Sequence, residues 1–107
     1  MCEKEIKLNS NQIWPLLNIL NEVCYGVFIE DFEFIIGTNK KNVIDLMVLI
    51  EKEENNEECL IYLNGLQLMI IDKSFDEIFK QIEEWEFQSR IGISREDAKK
   101  IKNIFQQ

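Results

Sequence analysis

Apolar residues recur along this chain at two spacings, one helical and one strand-like. Ile13, Leu16, Leu17, Leu20 and Cys24 follow the i, i+3, i+4, i+7 pattern of a single helical face, and either Ser10 or Asn11 can cap its start. The pattern predicts a helix that ends at Gly26. Pro15 belongs in or near its first turn, where a missing N–H costs nothing, so the helix is expected to begin a few residues beyond Ser10. Ahead of it, residues 5–8 form a short extended lead-in.

Residues 27–30 and 32–37 are short aromatic and β-branched runs separated by acids, which predicts two strands joined tightly near Asp31. Thr38 or Asn39 can cap a second helix with the stripe Val43, Leu46, Met47 and Ile50. Ile44, Val48 and Leu49 lie on its other faces and only Asp45 interrupts them, so this helix calls for contacts on more than one side. Residues 59–71 have strand composition on both sides of Asn64-Gly65, a pair suited to a type I′ turn, and predict a second hairpin. Its register sets Leu63 opposite Leu66, Ile61 opposite Leu68 and Cys59 opposite Ile70; the other face carries Leu60, Tyr62, Gln67, Met69 and Ile71.

Ser74-Phe-Asp-Glu77 has the form of a capping box and opens a helix with Phe75, Ile78, Phe79 and Ile82 on one side. At Glu86 and Phe87 that register breaks, so either the helix stops near residue 84 or Phe87 is exposed. Gly92 precedes a last helix, capped by Ser94 and carrying Ala98, Ile101, Ile104 and Phe105. The expected fold is one α+β domain over residues 1–107, in the order α-β-β-α-β-β-α-α, with an antiparallel sheet of about four strands in two hairpins covered by helices.

Charge changes the picture more than composition does. Residues 1–88 hold 7 basic and 18 acidic side chains, and residues 89–107 hold 5 basic and 2 acidic, so an acidic body carries a mildly basic tail. Such a field repels phosphates, and nucleic-acid contact would rest on Arg90, Arg95, Lys99, Lys100 and Lys102 alone; their simpler role is the solvated face of the last helix. No run approaches the roughly 18 apolar residues that span a bilayer, and the polar start does not resemble a secretory signal, so a cytoplasmic protein without membrane contact is expected.

Candidate chemistry is sparse. The chain has no histidine, which removes the commonest general base and metal ligand. Cys2, Cys24 and Cys59 form no CxxC pair, and Cys24 and Cys59 fall at apolar positions, as buried thiols do. Glu51, Glu53, Glu54, Glu57 and Glu58 cluster on one hydrated loop that neither separates their pKa values nor fixes a Ca²⁺ geometry. Residues 72–83 imitate an EF-hand loop but place Glu77 where glycine is required. No catalytic residue, cofactor or metal is expected.

Two surfaces remain. The first joins the acidic loop (Glu53, Glu54, Glu57, Glu58) to the segment Glu83, Glu84, Trp85, Glu86 and Phe87, where aromatic anchors sit in a negative field. The alternative is that Trp85 packs on the core edge among solvated acids. The second is the apolar excess on helix 43–50 and on the 59–71 hairpin, which suits either coverage within a monomer or a homodimer. The leading functional expectation is a small acidic inhibitor or immunity-type protein that neutralises a basic partner such as a nuclease toxin. The competing expectation is a self-associating structural or adaptor domain.

Overall fold

A computed structural model of the chain describes residues 3–53 and 57–106. Strand β1 (Lys4–Asn9) leads directly into α1 (Ser10–Asn21), whose last turn widens into a π-helical segment (Glu22–Gly26). The short helix α2 (Phe32–Ile36), helix α3 (Lys40–Glu51), strand β2 (Glu58–Leu63) and helices α4 (Gly65–Gln81), α5 (Glu84–Ile91) and α6 (Arg95–Ile104) follow. Among the described residues no helix is long and apolar enough to cross a membrane.

The core forms around α1, which buries Ile13, Pro15, Leu16, Leu17, Ile19 and Leu20 and packs against α3, α4, α5 and α6. Fully burying one leucine contributes about 1.5–3 kcal/mol, and no other helix buries so large a share of its residues. β1 and β2 pair antiparallel, with Ile6 opposite Ile61, Leu8 opposite Cys59 and Lys4 opposite Leu63. The period-2 alternation sends Ile6, Leu8, Cys59, Ile61 and Leu63 into the core and leaves Glu5, Lys7, Leu60 and Tyr62 outside.

The expected four-stranded sheet of two hairpins is not formed: the chain is mostly helical, and among the described residues there is a single sheet of two strands. The decisive place is Asn64-Gly65. A type I′ turn needs positive φ at both residues, whereas Asn64 has φ −85°. Asn64 is instead the N-cap of α4: its Oδ1 accepts from Gln67 N at 2.8 Å and Gln67 Oε1 accepts from Asn64 N at 2.8 Å. Leu66 to Ile71 therefore begin a helix, and β2 takes its partner from the far N-terminal segment.

With the start of α4 moved upstream, Ser74 and Glu77 sit inside the helix as buried residues, and no capping box forms there. Residues 27–30 form no strand, Val27 being extended and Glu30 already in a turn, and 32–37 make one helical turn closed by Gly37 at φ 93°. Pro15 lies in the second turn of α1, not the first, because Asn9 is the N-cap and Gln12 Oε1 accepts from its N–H at 2.9 Å. The carbonyl that Pro15 leaves unpaired in the helix belongs to Asn11, an exposed residue. Asn39 and Ser94 cap α3 and α6 as expected, accepting from Asn42 N and Asp97 N.

Gly65 separates the two local conformations experimentally. At the first position of α4 a Cβ would meet nothing within 4 Å, so Gly65→Ala should raise stability, by up to about 1 kcal/mol. Asn64→Ala should lower it by about 1 kcal/mol through loss of the cap. Thermal unfolding of both variants checks this; a destabilised Gly65→Ala would restore the hairpin.

Candidate functional site

The aromatic-acidic end is built by a reset of helical register. α4 stops at Gln81, residues 82–83 are extended at Ile82, and Glu83 caps a new helix, α5. Two arginines hold this corner. The Arg95 guanidinium donates to the carbonyls of Phe79 and Ile82, which end α4, and lies 5.6 Å from the Phe79 ring and 5.2 Å from the Phe87 ring. Phe87 stacks on Phe79 with ring centroids 5.6 Å apart and is only 1% exposed. The first of the two alternatives for this segment thus holds: the helix stops early, and Phe87 belongs to the core and offers no surface to a partner. Trp85, two residues earlier, is 78% exposed, so it does not pack on the core edge.

Arg90 ties α5 to the end of α1. It bonds Glu22 through Nε and Nη2 and reaches Glu86 Oε2 from Nη1 at 3.2 Å. The hydrogen-bonded Glu22 carboxylate holds the guanidinium protonated above its ordinary range, against a smaller opposing effect of burial, and Glu86 adds to the rise. Glu22 opens the π-helical turn, where Val27 N bonds back to Glu22 O at 2.9 Å. The extra residue buries Val23 and Cys24 while turning Tyr25 outward.

Beyond this turn, Val27 and Ile29 face inward and Phe28 and Glu30 outward. Gln81 Nε2 donates to Phe28 O at 2.9 Å, which fastens the segment to the end of α4. Asp31 then takes a left-handed conformation, φ 55°, the one positive φ outside glycine among the described residues. Tyr25, Phe28 and Phe34 are 66%, 80% and 84% exposed on this crest. Glu30, Asp31, Glu33, Glu83 and Glu84 are exposed with them, and residues 8–39 contain no lysine or arginine.

The expected union of the two acidic segments does not occur. Glu58 pairs with Asn9, at the start of α1, whereas Glu86 is tied through Arg90 to Glu22, at its end. Thirteen residues of helix put these points about 20 Å apart. Glu57 and Glu58 are exposed, with Glu58 3.0 Å from Lys7; Glu53 is half-buried and its carbonyl accepts from Cys59 Sγ at 2.9 Å; Glu54 lies outside the described residues. Burial, with the Glu53 charge in second place, pushes the Cys59 thiol up, which keeps it protonated. Among the described residues no group of three or more Cys, Asp or Glu is placed to hold a metal.

The basic tail is divided: Arg90, Arg95 and Lys102 are partly buried and bonded within the fold, while Lys99 and Lys100 are exposed, Lys99 around one hollow with Glu84. Arg90 and Arg95 act as described, Lys102 lies 3.0 Å from Asp76 and 3.5 Å from Asp72, and Lys100 lies 3.8 Å from Asp97. The surfaces expected for a homodimer also change. Met69 and Ile71 belong to α4 and no hairpin face exists, while Val48 and Leu49 remain exposed on α3.

Tyr25 falls in the expected helix ending at Gly26, and Phe28 and Phe34 fall in runs that read as strands, so the sequence pattern does not mark the three as surface residues. The signal that identifies Phe28 and Phe34 is the interleaving of aromatics with acids over 28–34 inside a long stretch without any cation. Comparison of the chain with protein-family models, with curated proteins and with solved structures found no match in any of the three.

The contrast between Trp85 and Phe87 is directly measurable. Phe87→Ala should cost about 3–5 kcal/mol of unfolding free energy, and Trp85→Ala and Phe28→Ala should stay within about 0.5 kcal/mol of the parent in chemical denaturation.

Proposed function

We propose that this protein is a small acidic binding domain of the inhibitor or immunity type, which neutralises a basic protein through the end formed by residues 25–34 and the first turn of α5. The observation that carries this reading is the exposure of Tyr25, Phe28 and Phe34 within a stretch, residues 8–39, that has acids and no lysine or arginine, with Trp85 exposed among Glu83, Glu84 and Glu86. Rings of this kind are costly to leave in water and supply most of the energy when buried against a partner. The surrounding carboxylates speed encounter with a positive surface and select against negative ones.

A nucleic-acid-cleaving toxin fits the required chemistry, because the groove that grips phosphate must itself be basic. Occupying that groove needs no catalytic group on the inhibitor. The fixed corner supports the same reading: Arg90 is taken up by Glu22 and Glu86, and Glu83 and Glu84 at the head of α5 are exposed, with Arg95 and Lys99 around the same hollow as Glu84.

Capture of the tagged chain's partner from host lysate, at low and high salt, tests the assignment. The expected product is a stoichiometric complex with a basic protein, weakened by salt, whose nucleic-acid-cleaving activity falls when the complex forms. Trp85→Ala should weaken it about 30-fold, as truncation of a central aromatic anchor does. Glu83→Lys with Glu84→Lys should slow association, while Glu57→Lys with Glu58→Lys at the other end of α1 should leave it unchanged. Binding that ignored salt and all the variants at Trp85, Phe28, Glu83 and Glu84 would overturn the proposal.

A further inference from the structure

β1 pairs with β2 along one edge, and among the described residues no strand occupies its opposite edge. A free edge offers a row of backbone N–H and C=O groups that another strand can complete. The side chains of this edge complement a second copy of themselves. Laid antiparallel about Ile6, the strand places Glu5 opposite Lys7 and Lys7 opposite Glu5, with Ile6 facing Ile6 and Lys4 facing Leu8. Residues of like parity meet, so exposed Glu5 and Lys7 meet on the outer face while Ile6 and Leu8 stay on the core face. Centring on Lys7 sets Lys7 opposite itself, and centring on Glu5 sets Glu5 opposite itself between two Glu3–Lys7 pairs, so of these the register centred on Ile6 is the one with no like charges opposed.

We propose that the free edge of β1 is a homodimer contact, which joins two copies about a two-fold axis at Ile6 into one four-stranded sheet of order β2-β1-β1-β2. The contact is isologous, as closed dimers require, and the charge pattern specifies a second copy over a foreign strand. Lys7 and Glu58 form an ion pair 3.0 Å long whose side chains are both largely exposed, so Lys7 is held on the outer face without being committed to the interior. On that same face Tyr62 stands opposite Glu5, whose charge, followed by burial and then their hydrogen bond, raises the tyrosine pKa. A single strand-to-strand contact is smaller than the roughly 1,600 Å² of a standard interface, so the dimer should form in the micromolar range.

Sedimentation equilibrium of the full chain, from low to high micromolar concentration, reads this out. The parent should dimerise reversibly. Glu5→Lys and Lys7→Glu should each raise the dissociation constant about tenfold, because two cross-strand pairs turn from attractive to repulsive. The double variant Glu5→Lys/Lys7→Glu has the parent's net charge and should restore dimerisation, with circular dichroism confirming that each variant is folded. A parent that stays monomeric at high micromolar concentration, single variants that dimerise like the parent, or a double variant no better than the singles would each overturn the proposal. Loss of partner capture by variants at Trp85 with dimerisation intact, or the reverse, separates this contact from the binding surface proposed above.

Discussion

Burial of α1 from nearly every side is the constraint from which the rest of the structure follows. Ile13, Pro15, Leu16, Leu17, Ile19 and Leu20 are all buried, and the stripe of Asn11, Trp14, Asn18 and Asn21 is what α1 turns outward, so the rest of its surface must be wrapped. α3, α4, α5, α6 and the inner face of the sheet supply the wrapping. The wrapping also gives the molecule a polarity. At the start of α1 lie the sheet end and the residues that follow α3, and at its finish lie the π-helical turn, the aromatic crest and the head of α5.

Two arginines convert that arrangement into an acidic end. Arg95, held between Phe79 and Phe87, satisfies the carbonyls where α4 stops, so the chain can turn sharply and restart as α5. Arg90 binds Glu22 and Glu86, so two acids of the corner are spent on structure. The acids beyond that pairing, Glu83 and Glu84, are exposed beside Trp85 in the chain, and Glu84 shares a surface hollow with Arg95 and the exposed Lys99 of the tail. The bland account, that these acids serve solubility alone, explains Glu57 and Glu58 as well as it explains Glu83; it does not explain four large aromatic rings left in water among them.

Helical periodicity was legible wherever it ran uninterrupted. The buried faces of α1, α3 and α6 are those that the 3.6-residue spacing marks. Short runs of period 2 were not decisive. Residues 27–30 do alternate in and out, yet they form no strand. Asn64-Gly65 carries the signal of a hairpin turn and, with Gln67, that of a helix cap, and only the long-range pairing of β2 with β1 decides between them. At the candidate site, Trp85 was recognisable from its acidic neighbours, but Phe87 was drawn into the same set because the break between α4 and α5 resets the register. That the two acidic segments flank opposite ends of one helix is a property of tertiary packing that no local spacing encodes.

The proposed recognition surface is the acidic end after α1, and backbone amide mapping of the isotope-labelled protein in complex with its captured partner would locate it residue by residue. The account predicts protection and shift changes concentrated in residues 22–34 and 83–88, with the 51–58 segment unchanged. A footprint centred on residues 51–58, or spread evenly over the acidic surface, would contradict it.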